Sequence, residues 1–160
     1  MRSKTLFITQ AAIIAALYTV LTLVSAAFGL DRHAIQFRLS EALTVLPFFT
    51  PAAIPGLFIG CLMSNILCSA LPPDIIFGSI ATLIGAVGTY LIGKKVKWLS
   101  ALPPIVANTV IVPLVLRYAY HINGGIPFFA MTVFIGEFVC CGIIGTALLY
   151  YLPKRLFKLR

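Results

Sequence analysis

Six apolar runs, broken only by short polar or proline-rich stretches, are the feature that most limits what this chain can fold into. They extend from Thr5 to Leu30, about Ala34 to Phe49, Ala52 to Leu71, Asp74 to Gly93, about Ser100 to Tyr120 and about Pro127 to Leu152. A helix that crosses a bilayer needs roughly 20 apolar residues, and all but the second run are of that length. The runs are continuous rather than alternating, which excludes a membrane β-barrel. Composition agrees, since 61% of the 160 residues are hydrophobic and only 10% are charged, against about 25% in a soluble domain. The net charge of +8 comes without a hydrophilic surface to carry it, which argues against a nucleic-acid binder. The expected fold class is an all-α integral membrane protein, a six-transmembrane-helix bundle in which residues 1–160 form a single transmembrane domain.

The first run follows Arg2 and Lys4 and closes on Ser25, Ala26 and Ala27, as a signal peptide would. It is too long for a secretory core of roughly 7–15 residues and reads as a retained helix. Basic residues set the orientation. With six crossings, one side collects Arg2, Lys4, Lys94, Lys95, Lys97 and the four C-terminal bases, nine in all, and the other only Arg32, Arg38 and Arg117. Both termini are therefore expected in the cytoplasm. The second run is the weak point: it is short, ends among Pro47, Pro51 and Pro55, and is followed by an uncharged turn. Without it there would be five crossings and the basic ends would fall on opposite faces.

Small residues recur four apart, a pattern that lets membrane helices approach closely. Ala52, Gly56, Gly60, Ser64 and Cys68 mark the third run, and Ala81, Gly85, Thr89 and Gly93 the fourth. Both are expected to pack within the bundle. In the first run, Ala11/Ala15 and Ala12/Ala16 form two such pairs, suited either to internal packing or to another membrane protein.

Carboxylates within a bilayer are costly and mark function by default. Glu41 and Glu137 are the two clear cases, joined by Asn108 and Asn65. At 1.5 Å per residue, Asn108 and Glu137 both fall roughly 15 Å below the outer surface, with Glu41 and Asn65 shallower. Arg38, three residues before Glu41, suits an internal ion pair with it. Glu137 has no base within a turn of its own helix. Asp74 reads as a helix cap, and Gln36 as an outer-loop residue that contacts ligand or solvent. Four polar groups from four helices describe a cavity open to the outside. Carboxylates only accept hydrogen bonds, whereas Asn also donates. Such a set suits a ligand with an amidine-like donor edge, as a guanine-type base has. Phe37, Phe77, Phe128 and Phe138 are aromatic candidates to sandwich a flat ring, although a lipid-facing or core role suits each of them better.

Other chemistry is missing. Cys61, Cys68, Cys140 and Cys141 contain no C-x-x-C pair and read as buried thiols. No metal cluster or cofactor motif is found, and His33 and His121 are expected near the outer surface. Gly88 to Lys94 mimics a phosphate loop, but Lys95 stands where Ser or Thr must bind magnesium. Uphill transport would therefore need energy from a partner.

The segments Phe37-Arg38-Leu39-Ser40-Glu41-Ala42-Leu43-Thr44-Val45-Leu46-Pro47, Ala53-Ile54-Pro55-Gly56-Leu57-Phe58-Ile59-Gly60-Cys61 and Asp74-Ile75-Ile76-Phe77-Gly78-Ser79, with Asn108 and Gly136-Glu137, resemble the queuosine-precursor transporter family. Its members are substrate-binding S components of energy-coupling-factor (ECF) vitamin transporters, and the likeness runs along essentially the whole chain. The resemblance implies six helices with both termini inside and a 7-deazaguanine ligand held by Glu137, Glu41, Asn108 and Arg38. It implies that Ala11, Ala12, Ala15 and Ala16 meet a transmembrane coupling subunit, and that two cytoplasmic ATPases drive transport by toppling the S component. Other readings are an S component for a different vitamin, a small intramembrane enzyme with Glu137 as general base, and a structural membrane subunit.

Overall fold

A computed structural model describes residues 2–30, 37–122, 124–153 and 157. Those residues are helical with short connections and contain no strand. Helix α1 (Arg2–Ala27) is followed by a 3₁₀ segment (Leu39–Phe48), α2 (Ala53–Leu67), α3 (Pro72–Gly93), a 3₁₀ turn (Lys97–Ala101) and α4 (Leu102–Tyr118). Helix α5 (Ile126–Glu137) runs through a π-helical stretch (Phe138–Gly145) into α6 (Thr146–Tyr151). Four of these helical stretches are long and apolar enough to cross a membrane, and Leu39–Phe48 and Ala53–Leu67 are shorter apolar helices. The protein is a multi-pass membrane helical bundle.

Helix ends follow local chemistry. Gly29, at φ +69°, stops α1. Its amide bonds Ala26 O and that of Leu30 bonds Ser25 O, the paired C-terminal closure that a left-handed residue permits. Pro72 and Pro73 open α3, where a missing amide costs nothing. Leu71 is the N-cap and Asp74 lies inside the first turn. The expectation that Asp74 caps this helix is thereby corrected: the prolines move the start upstream of it.

Glycines decide which helices touch. A Cβ on Gly56 would lie 2.7 Å from Ala11 O, and one on Gly60 2.8 Å from the Tyr18 Cβ and 2.9 Å from Ala15 O. Residue numbers rise together across this contact, so α1 and α2 run parallel. At Gly85 and Gly88, Cβ atoms would meet Pro104 and Pro103, so α3 and α4 form an antiparallel hairpin. The backbones of Ala11 and Ala15 lie in the internal α1–α2 contact, and both residues are half-buried. Ala12 and Ala16 are exposed.

Because α1 and α2 are parallel, the chain between them must return through the bundle. The 3₁₀ segment does this alongside α1. Leu39 N donates to Ser25 Oγ at 3.0 Å, Thr22 to Ser40 at 2.8 Å, Tyr18 to Glu41, and Thr50 to Gln10 at 2.9 Å. From Ser25 to Gln10 the axis of α1 covers roughly 22 Å at 1.5 Å per residue. A 3₁₀ path at about 2.0 Å per residue spans the same distance from Leu39 to Thr50. The tighter winding makes a short segment long enough. Ser40 through Pro47 are all buried.

Candidate functional site

Three unlike pieces of backbone converge at the centre. Glu41 comes from the 3₁₀ segment, Asn108 from α4, and Glu137 from the last residue of α5. Asn108 Nδ2 donates to Glu137 Oε1 at 2.9 Å and to Glu41 Oε2 at 3.3 Å. Tyr18 donates its hydroxyl to Glu41 Oε1. Both oxygens of Glu41 are thus engaged by protein donors. Glu137 is different, because its Oε2 is buried with no hydrogen-bond partner among the described residues. The roughly equal depth expected of Asn108 and Glu137 matches their hydrogen bond. Glu41, expected shallower, reaches the same Asn108 amide and the Tyr18 hydroxyl.

Irregular backbone adjoins each of these groups. The π-helical stretch begins immediately after Glu137, and such stretches recur at functional sites. Pro113, buried inside α4, lacks the amide that would bond the Thr109 carbonyl one turn back, beside Asn108.

Arg38 does not reach Glu41 as a hydrogen-bonded partner. Its guanidinium donates to Asn65 Oδ1 at 3.4 Å, while its Nε is buried without a partner among the described residues. The expected ion pair one turn apart is replaced by this longer reach, because Arg38 precedes the helical segment with extended backbone at φ −98°, ψ 101°. Asn65 also donates to Cys61 Sγ at 3.6 Å.

Two voids share this region. The inner one is lined by Arg38, Glu41, Gly78, Thr82, Asn108, Val112, Val133 and Glu137 and has ≈ 20 Å³ open to water, room for about one molecule. The outer one has ≈ 330 Å³, and its lining includes Thr22, Arg38, Asn65, Asp74, Val112 and Tyr120. Arg38 and Val112 belong to both walls. A larger void of ≈ 500 Å³ between α3 and the outer half of α4 is walled by Pro73, Phe77, Ile111, Leu114, Val115, Tyr118 and Ala119. Those walls offer a polar heterocycle almost nothing to bond.

Of the residues expected in the site, Arg38, Glu41, Asn108 and Glu137 line the inner cavity and Asn65 the outer chamber. Gln36 lies outside the described residues. Phe77, Phe128 and Phe138 are about half-exposed on the outer surface of the bundle, and they and Phe37 are absent from both polar linings. Tyr18 and Thr82 were missed by the sequence reasoning. Tyr18 carries a signal in retrospect: aromatic hydroxyls favour membrane interfaces, yet it lies nine residues below Ala27, roughly 14 Å down. Cys141 contacts Thr44 at 3.1 Å; Cys61, Cys140 and Cys141 are buried as expected, whereas Cys68, at the C-cap of α2, is only half-buried.

The described residues thus form a membrane helical bundle that closes a small polar cavity around two carboxylates. The family model described as "QueT transporter" matches residues 8–154, and the chain belongs to that family, one of transporters and not of enzymes. It is 41% identical over 83 residues to the "Queuosine precursor transporter QueT" of Lactococcus lactis subsp. cremoris (strain MG1363), covering 52% of this chain and 48% of that protein. The chain thus spans about half the length of the curated relative it matches. No solved structure matches it.

Proposed function

We propose that this protein is the substrate-binding S component of an ECF-type transporter and that its ligand is a 7-deazaguanine. The observation that carries the reading is Glu137, whose second oxygen is buried and unpartnered while its first is held by Asn108. A buried acceptor left open costs about 1–3 kcal/mol, which a ligand donor would recover. The ring N–H and exocyclic amine of a guanine-type base present adjacent donors to such a carboxylate. Glu41, engaged by Tyr18 and Asn108, fixes the Asn108 amide. The printed name of the Lactococcus relative favours the same ligand class.

In this reading residues 1–160 form one transmembrane domain of six crossings. The 3₁₀ segment counts as the second, because it runs antiparallel beside α1 for roughly 22 Å of that helix's length. Nine basic residues against three place both termini in the cytoplasm of a cell-membrane protein. Exposed Ala12 and Ala16 meet a transmembrane coupling subunit, and two cytoplasmic ATPases supply the energy. The inner cavity must widen to take a fused ring.

The test is direct binding of deazaguanines, guanine and common vitamins to the purified protein, beside Glu137→Gln. A deazaguanine binds, and the variant loses about a hundredfold in affinity at unchanged thermal stability. Binding of an unrelated vitamin alone discards the ligand assignment, and ligand turnover discards the transporter reading.

A further inference from the structure

Three buried side-chain polar atoms have no hydrogen-bond partner among the described residues: Arg38 Nε, Thr109 Oγ1 and Glu137 Oε2. Two of them belong to residues of the inner cavity wall, Arg38 and Glu137. They are opposite in kind, because a guanidinium N–H only donates and a carboxylate oxygen accepts. Other polar groups of that wall are engaged. Both oxygens of Glu41 and the Asn108 amide have partners, and the Thr82 hydroxyl donates to Gly78 O at 3.2 Å. The donor edge proposed for the base satisfies Glu137 and leaves Arg38 Nε unmatched. A buried donor left open is as costly as a buried acceptor.

Arg38 is gripped from the outer chamber. Its Nη1 donates to Asn65 Oδ1 at 3.4 Å, and Asp74 is the carboxylate that acts most strongly on its charge. Asp74 is itself anchored: the Tyr120 hydroxyl donates to its Oδ2 at 2.9 Å and accepts from Leu71 N at 3.3 Å. Asn65, Asp74 and Tyr120 all line the outer chamber. At the other end of the side chain, the Cys140 thiol, three residues past Glu137, meets the Arg38 backbone. The side chain therefore runs between the two chambers, whose walls it shares. With its tip held outside, Nε is left for the inner cavity.

We infer that Arg38 Nε donates to a ring carbonyl oxygen of the base, beside the donor edge read by Glu137, and that Asp74 is a positioning residue for this guanidinium. The inference rests on the deazaguanine reading of the inner cavity. A guanine-type base carries a ring N–H, an exocyclic amine and a carbonyl on one rigid edge, which matches one open acceptor and one open donor. An adenine-type base has an amine in place of the carbonyl and would face Arg38 with a second donor. Sites that leave a buried polar group unpaired with the wrong ligand discriminate far more sharply than apolar pockets do. Arg38 thus sets the preference for a carbonyl-bearing base.

The experiment measures binding of a 7-deazaguanine and its thiocarbonyl analogue to the purified protein and to its Arg38→Lys and Asp74→Asn variants. The analogue keeps both donors and exchanges the oxygen for a weakly accepting sulfur. Lysine keeps the charge beside Asp74 and has no Nε–H. The oxygen compound binds about tenfold or more tightly in the unmodified protein. That ratio falls toward one in Arg38→Lys and drops in Asp74→Asn, while retained binding of the sulfur compound shows that both variants are folded. Equal affinities in the unmodified protein overturn the inference without any variant. A ratio that survives in Arg38→Lys traces the preference to the size of sulfur and overturns it as well. An unchanged ratio in Asp74→Asn overturns the positioning role. Absence of binding by either compound overturns the deazaguanine reading itself, and the Arg38 assignment with it.

Discussion

Helix α1 and the 3₁₀ segment run side by side over roughly 22 Å, yet they solve opposite problems. Helix α1 is a regular α-helix with much of its surface exposed, including Ile8, Ile13, Leu17 and Val20. Its backbone bonds are satisfied within itself, so lipid is an acceptable solvent. The 3₁₀ segment is buried from Ser40 to Pro47 and takes partners from its neighbours: Tyr18 on Glu41, Thr22 on Ser40 and Cys141 on Thr44. Its tighter, less favourable winding survives because protein surrounds it. The comparison separates scaffold from site. Regular helices carry the membrane boundary, and the buried 3₁₀ segment brings Glu41 to the polar groups that α1, α4 and α5 present inward.

The comparison breaks most severely at the contact that holds the two parallel helices together. Gly60→Leu would drive side-chain atoms into the Tyr18 Cβ and the Ala15 carbonyl, which already lie 2.8 and 2.9 Å from a Cβ position. The expected cost is about 3 kcal/mol or more, read as loss of a monodisperse peak on size exclusion and a collapsed melting temperature. A smaller effect is expected where α1 supports the 3₁₀ segment. Tyr18→Phe removes the donor to Glu41 and leaves a buried oxygen open, costing about 1–2 kcal/mol. Thermal unfolding in one detergent measures the loss, and ligand affinity weakens with it. The smallest effect on the isolated protein belongs to the exposed face of α1. Replacing Ala12 and Ala16 together by Leu leaves melting temperature and ligand binding unchanged while abolishing uptake in cells. Retained uptake would remove this face as the docking surface for a coupling subunit.

Much of the scaffold was legible because length and hydropathy determine where apolar helices form. The ends of α3 and α4 fall within two residues of the apolar runs that mark them. The second segment was legible as a short helix-like run with prolines, but its 3₁₀ winding was not. That winding comes from tertiary partners, and no local propensity records them. Glu41, Asn108 and Glu137 stood out because polar groups are expensive at such depth. Their mutual bonding through one amide was not legible, nor was Arg38 turning toward Asn65, since both depend on which helices neighbour one another. Asp74 misled because its residue type and position satisfy the capping rule, while the prolines before it had already begun the helix. The unequal burial of the alanine face was not legible for a related reason: only the position of Gly56 and Gly60 brings the backbones of Ala11 and Ala15, and not Ala12 and Ala16, against α2.

The central claim is that the open oxygen of Glu137 reads the donor edge of a guanine-type base. The most direct measurement is a cycle that pairs Glu137→Gln with removal of the exocyclic amine from the ligand, using isothermal titration of a 7-deazaguanine and its des-amino analogue. If Glu137 accepts from that amine, deleting it costs about tenfold to a hundredfold in the unmodified protein and little in the variant. Equal losses in both proteins would place the base edge elsewhere and contradict the account.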